Sequence, residues 1–167
     1  MNGKIVPLKG GGLCQISNLL FWLLLHTPLT IVERHPHAVE SFPVPPSDMP
    51  DGTDATVNEG WQDLKLRNDT QLNYQIAFRF DDDYIHGSVR ADQDDGFRYD
   101  IIGRELRYYR QGGRVFQTHD IYRQKADRET GELLEEVLLY HNRCGIGYEL
   151  PPETVIEDRD LLGKPAS

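Results

Sequence analysis

Gly10-Gly11-Gly12-Leu13-Cys14-Gln15-Ile16-Ser17-Asn18-Leu19-Leu20-Phe21-Trp22-Leu23-Leu24-Leu25 decides how this chain is read. From Leu13 onward the stretch carries almost no charge-bearing residue, and from Leu19 to Leu25 it is continuously apolar. A helix that is hydrophobic all round is buried on most sides. Residues 13–26 are therefore expected to form a core helix. Thr27-Pro28 ends it, because the residue before a proline avoids helical geometry. The apolar run is far shorter than the roughly 20 residues that cross a membrane. The three glycines in front of it allow turns closed to other residues and close approach of a ligand.

Beyond the helix the period changes. Thr30-Ile31-Val32 has the β-branched content of a strand. Pro43, Pro45, Pro46, Pro50 and Gly52 mark residues 41–53 as a loop, and Asp54-Ala55-Thr56-Val57 is expected to start a short strand. Leu64 and Leu66 alternate with Lys65 and Arg67. Tyr74, Ile76, Phe78 and Phe80 alternate with their neighbours over 73–80, the period of a half-buried strand. Asp81-Asp82-Asp83 turns the chain into a strand over 84–90. Gln111-Gly112-Gly113-Arg114 is a hairpin signal between strands over 106–110 and 115–124. Thr130-Gly131 leads into a last strand over 133–142. The expected fold class is α+β: one buried N-terminal helix packed on a mostly antiparallel sheet, followed by a β-meander. Residues 1–80 read as the core unit, 81–150 as the meander, and 151–167 as a loosely held tail.

The chain has 167 residues, 38% hydrophobic and 27% charged, the balance of a soluble globular protein. Its net charge of −9 argues against nucleic acid as a partner. Lys4, Lys9 and Arg34 nearly balance Glu33 and Glu40 in residues 1–46, so the acidic excess lies downstream. Two cysteines, Cys14 and Cys144, do not make a disulfide framework. No signal peptide is visible, so the chain as it stands reads as cytoplasmic. Gly3-Lys4-Ile5-Val6-Pro7, however, reads as the end of a strand that begins in a missing upstream segment. Such a segment would partner the rest of the chain, and could bring a leader and an envelope location.

Cys14 is the first candidate for chemistry. A thiolate at a helix N-terminus is stabilised by the exposed N–H groups and the positive end of the helix dipole. The competing reading is a packed core cysteine. A cysteine nucleophile needs a base and a group that orients the base. The helix spans about 20 Å at ~1.5 Å per residue, and the strand after it returns Glu33-Arg34-His35-Pro36-His37 to the level of the helix start. His37 is the favoured base, with His35 the alternative. Asp54 would accept the imidazole Nδ1–H. Gly11, Gly12, Gln15, Ser17, Arg34 and His35 are candidates for substrate contact or the oxyanion site. Arg34 is also placed to pair with Glu33 or Glu40. Cys14, His26, His35 and His37 offer thiolate and imidazole metal ligands, but no zinc-type spacing supports them. The sequence implies no resident metal and no cofactor. Asp92-Gln93-Asp94-Asp95-Gly96 lacks the ligand positions of a calcium loop.

Four blocks carry a family resemblance: Gly10 to Leu20, Ile31-Val32-Glu33-Arg34-His35-Pro36-His37, Gly52-Thr53-Asp54-Ala55-Thr56-Val57, and Asp63-Leu64-Lys65-Leu66-Arg67-Asn68-Asp69-Thr70. In this order and spacing they resemble the VanW family over residues 3–80. The helix and the meander extend the likeness over most of the chain to VanW proteins found beside glycopeptide-resistance genes, which are longer at the N-terminus. The resemblance implies a role in vancomycin resistance at the bacterial cell wall, but no reaction. From the residues come two expectations. One is a Cys14-His37-Asp54 acyl-transferase or amidase acting on peptidoglycan peptides. The other is a non-enzymatic module that binds a cell-wall precursor, a glycopeptide or a partner protein.

Overall fold

The computed structural model describes residues 12–43 and 47–159. The Lys4–Pro7 stretch, Gly10, Gly11 and the end of the expected tail lie outside them. Helix α1 (Leu13–Leu25) opens on Gly12, whose φ of 83° is left-handed, with no side-chain cap. It closes where the His26 and Thr27 N–H groups reach the Leu23 and Leu24 carbonyls, with the Thr27 hydroxyl adding a 2.6 Å bond to Leu24 O. These contacts satisfy end carbonyls that Pro28 prevents the helix from using.

Among the described residues nine strands follow: β1 (Thr30–Glu33), β2 (Val39–Glu40), β3 (Lys65–Arg67), β4 (Tyr74–Phe80), β5 (Ile85–Ala91), β6 (Phe97–Gln111), β7 (Arg114–Asp127), β8 (Leu133–Ile146) and β9 (Ile156–Asp158). They form three sheets. β1 pairs with β3, β4 pairs with β5, and a five-stranded sheet has the order β2-β8-β7-β6-β9. The β6–β7–β8 meander is antiparallel, whereas β2 and β9 add to its edges in parallel. The α+β expectation therefore holds, with one helix on mostly antiparallel sheet among the described residues. The strands of the meander run longer than their sequence pattern suggested. Part of the segment read as a tail forms β9 against Tyr108, Tyr109 and Arg110.

Residues 54–57 do not form a ladder strand. They run extended between α1 and the residues after β1, held by one backbone bond from Thr56 N–H to His35 O at 2.8 Å. Arg34 Nε–H donates to Asp54 O at 2.7 Å, and further bonds come from the helix. The Ser17 hydroxyl donates to Ala55 O at 2.5 Å, and Asn18 Oδ1 accepts the Ala55 N–H at 2.8 Å.

The core lies between α1 and the large sheet. Phe21, Leu25, Ala55, Ile101 and Ile121 form its buried centre, with Trp22, Ile31, Leu64, Leu139 and Tyr140 packed around it. Full burial of a Phe or Leu side chain contributes about 1.5–3 kcal/mol. Alternation on β7 points one row inward, Gln117, His119 and Ile121, all buried. Arg123 continues that row and caps the turn after α1, donating to Thr27 O and Leu29 O at 2.5 and 2.9 Å. The small β4–β5 sheet lies on the helix through Gly87, where a Cβ would come within 2.5 Å of Leu23 Cδ1 and 3.2 Å of Leu19. No helix among the described residues is long and apolar enough to cross a membrane.

Candidate functional site

The site is assembled on the loop Pro50-Asp51-Gly52-Thr53-Asp54. Asp54 accepts the His37 Nδ1–H at 2.5 Å and the His37 backbone N–H at 2.7 Å, both on Oδ2. Its other oxygen, Oδ1, accepts Arg34 Nη2–H at 2.6 Å. Arg34 also donates to Asp54 O, Gly52 O and Asn142 Oδ1 at 2.7–2.8 Å. Its side chain is 6% exposed, against 24% for Asp54 and 39% for His37. The guanidinium carbon lies 4.5 Å from the Tyr140 ring centre and 5.8 Å from that of Phe21. A buried charge of this kind is tolerated only when paired and fully hydrogen-bonded. Arg34 therefore does not pair with Glu33 or Glu40. Glu33 instead bonds Lys65 and His35, which hold its carboxyl down at about 2.

The loop is fastened to the sheet at several points. Tyr140 donates to Gly52 O at 3.2 Å, and His119 Nδ1–H donates to Asp51 O at 2.8 Å. Gly52 has a φ of +86°, and a Cβ there would overlap the Asn142 amide. Glycine alone fits both the backbone conformation and the close approach.

His37 and Asp54 open on a cleft of about 440 Å³, which Asn18, Glu40, Phe42 and Met49 also line. With Nδ1–H on Asp54, a neutral His37 ring keeps Nε2 as an acceptor. Cys14 is half-buried, and its thiol points to the Val57 carbonyl at 3.9 Å. Asn18 is the α1 residue that lines the cleft. Cys14 lies one turn before it on the same helix face, about 6 Å along the axis.

The structure thus brings His37, Asp54 and Arg34 together and sets Cys14 at the other end of the 54–57 segment. Gly12 caps α1 and its carbonyl takes the Gln15 and Ile16 N–H groups. Gln15 is exposed and Ser17 is buried against Ala55. His35 turns to Glu33 at 2.9 Å. His26 bonds Trp22 O at the far end of α1, away from Cys14. Gly52, Asn18, Tyr140 and Asn142 complete the site. Of these, Gly52 and Asn18 stand inside the motif blocks, whereas Tyr140 and Asn142 carry no local signal.

A family model for VanW-like proteins matches residues 1–90, the part that supplies Cys14, Arg34, His37 and Asp54. The chain belongs to the VanW-like family. It is 46% identical over 157 residues to the vancomycin B-type resistance protein VanW of Enterococcus faecalis, covering 94% of this chain and 57% of that protein. It is also 37% identical over 79 residues to the uncharacterized protein YoaR of Bacillus subtilis, covering 47% of this chain and 24% of that one. The chain thus spans little more than half of the longer-matching relative. No solved structure matches it.

Proposed function

We propose that this VanW-like chain serves glycopeptide resistance at the cell wall by binding a wall-precursor peptide or the glycopeptide itself in the His37 cleft. The mounting of His37 supports this reading best. Asp54 takes two of its N–H groups, and a nearly buried Arg34 holds Asp54 from behind. That arrangement fixes one imidazole at the rim of a cleft whose helix wall is Asn18, an amide suited to recognition. Calorimetric titration of the chain with Nα-acetyl-Lys-D-Ala-D-Ala and with vancomycin tests it. Saturable binding of one of them, weakened at least tenfold in His37→Ala, is expected. No binding of either, or equal binding by His37→Ala, refutes it.

A second reading makes the site an acyl-transfer centre. It draws on the position of Cys14 one turn from Asn18 on the same face of α1, with its thiol turned to Val57 O. Cys14 is then the nucleophile, His37 the base and Asp54 the orienting group. The thiolate attacks an amide carbonyl, His37 protonates the leaving amine, and water or a second amine releases the acyl group. The unpaired N–H groups of the first turn of α1 then supply the oxyanion contacts. Iodoacetamide labelling of Cys14 against pH separates the two readings. Loss of labelling rate in His37→Ala and Asp54→Ala supports the nucleophile. A rate indifferent to both leaves the binding reading.

A further inference from the structure

Asp51 lines the His37 cleft. The same residue borders a second recess of about 900 Å³, walled by Pro43, Tyr108, Tyr148 and Glu149. Phe42 lines the first recess, and Pro43, the next residue, lines the second. The junction is built from the sheet. Gln117, fully buried on β7, donates Nε2–H to Asp51 Oδ2 at 3.0 Å and stands 3.1 Å from the Tyr108 hydroxyl. The Gly147 N–H donates to Glu40 O at 2.8 Å, which sets Tyr148 beside Glu40.

The charge along this path is one-sided. Asp54 is matched by Arg34 and His37. Among the described residues no cation pairs with Glu40, Asp51 or Glu149. The Glu40 carboxyl is pushed above its ordinary range by burial, and then by the charges of Asp51 and Asp54. Burial, followed by Glu40, pushes the Tyr148 hydroxyl up to about 12. Carboxylates in a recess of low dielectric favour a cationic guest. Apolar surface stands beside them: Phe42 is 73% exposed and Met49 37%.

We propose that the two recesses are one groove for an extended peptide bearing a primary ammonium group. The ammonium sits on Glu40 and Asp51, and the peptide's apolar parts lie on Phe42, Met49 and Tyr148. This inference rests on the peptide-binding reading of the His37 cleft and names the ligand class it takes. A compact dipeptide fills only the first recess, whereas a longer peptide reaches Tyr148.

The test uses the whole chain and two peptides that differ in one charge, Nα-acetyl-Lys-D-Ala-D-Ala and its Nε-acetylated form, with N-acetyl-D-Ala-D-Ala as the short probe. Acetylation of the lysine amine is expected to weaken binding about tenfold, the scale of a hydrogen bond to a charged group. Glu40→Gln, nearly isosteric, should weaken the free-amine peptide by a similar factor and leave the acetylated one unchanged. Tyr148→Ala should weaken the tripeptide and spare the dipeptide. Equal affinity for the two tripeptides, or an equal effect of Glu40→Gln on both, overturns the inference. If that binding still depends on His37, the reading of the cleft survives. If the tripeptide does not bind at all, the inference falls, and the cleft reading then rests on the vancomycin titration alone.

Discussion

Gly52→Ala is the substitution most directly set by the geometry. The added Cβ would lie 2.6 Å from Asn142 Cγ and 2.8 Å from Asn142 Cβ, closer still to the amide nitrogen, in a backbone with φ of +86°. The left-handed conformation alone costs an alanine roughly 1–2 kcal/mol. Asn142, 1% exposed, must also move, and it then releases the 2.8 Å bond from Arg34. Losing a hydrogen bond to a charged group costs about 1.5–3 kcal/mol. The expected destabilisation is about 3–4 kcal/mol, which lowers Tm by roughly 10 °C in a chain of this size. Gly96→Ala is the control, because Gly96 has φ of +75° but nothing within 4 Å of a Cβ. It should lose only the conformational part. Urea denaturation of both variants, with Asn142→Ala and the double variant, completes the comparison. Asn142→Ala removes the amide, the nearest part of the obstruction, and leaves only the Asn142 Cβ contact at 2.8 Å, so the double variant should be more stable than the two single losses added together. A Gly52→Ala loss no greater than that of Gly96→Ala would refute the reasoning.

Arg34→Lys keeps the charge but not the planar fork that reaches Asp54, Gly52 and Asn142. It should cost about 2–4 kcal/mol in urea denaturation, and a loss below about 0.5 kcal/mol would contradict the role given to the guanidinium. Iodoacetamide at pH 8 followed by peptide mapping should modify Cys14 well before Cys144. The latter is buried beside Glu40 and Gln117, and burial, then Glu40, pushes its thiol up to about 12. Equal labelling of the two in the folded protein would count against that placement. Glu33→Gln should lower Tm at neutral pH, because the Lys65 and His35 bonds hold the Glu33 carboxyl near 2 in the fold. That contribution is present above the ordinary carboxylate range and is lost as pH falls through it toward 2, so the two Tm curves should converge there. A constant gap at all pH values would show that the charge is not the cause. Gly87→Ala should cost about 1–3 kcal/mol by forcing Leu19 and Leu23 off their present positions, and unchanged stability would mean that the β4–β5 sheet does not rest on α1.

Helix α1 was legible because seven consecutive apolar residues end at Thr27-Pro28, and the β6–β7 turn because Gly112-Gly113 stands between two alternating runs. The edge strands β2 and β9 were not, since two or three residues have no period to read. Residues 54–57 look like a strand from composition. They remain outside the ladders because Ser17 and Asn18 satisfy their backbone in place of a neighbouring strand. In the site, the His37–Asp54 pair followed from the order of residues along the chain. The true partner of Arg34 did not, because Glu33 and Glu40 are near in sequence while Asp54 and Asn142 are near only after folding. The second anchor of the loop, Tyr140, lies in a strand that sequence pattern marks as sheet packing and nothing more.

Arg34 also limits where the chain can be shortened. The family model ends at residue 90, but the guanidinium built within that stretch is completed by Asn142 and Tyr140 from β8. A fragment cut at the family boundary would keep the cation and lose both of those partners, together with the sheet that shields it. Its loop would also lose the grips of His119 and Tyr140. Expression of such a fragment would present a half-open cluster to solvent, with Phe21 and Leu25 stripped of their cover. Any reduced version meant for screening ligands must run through at least Ile146, the end of β8.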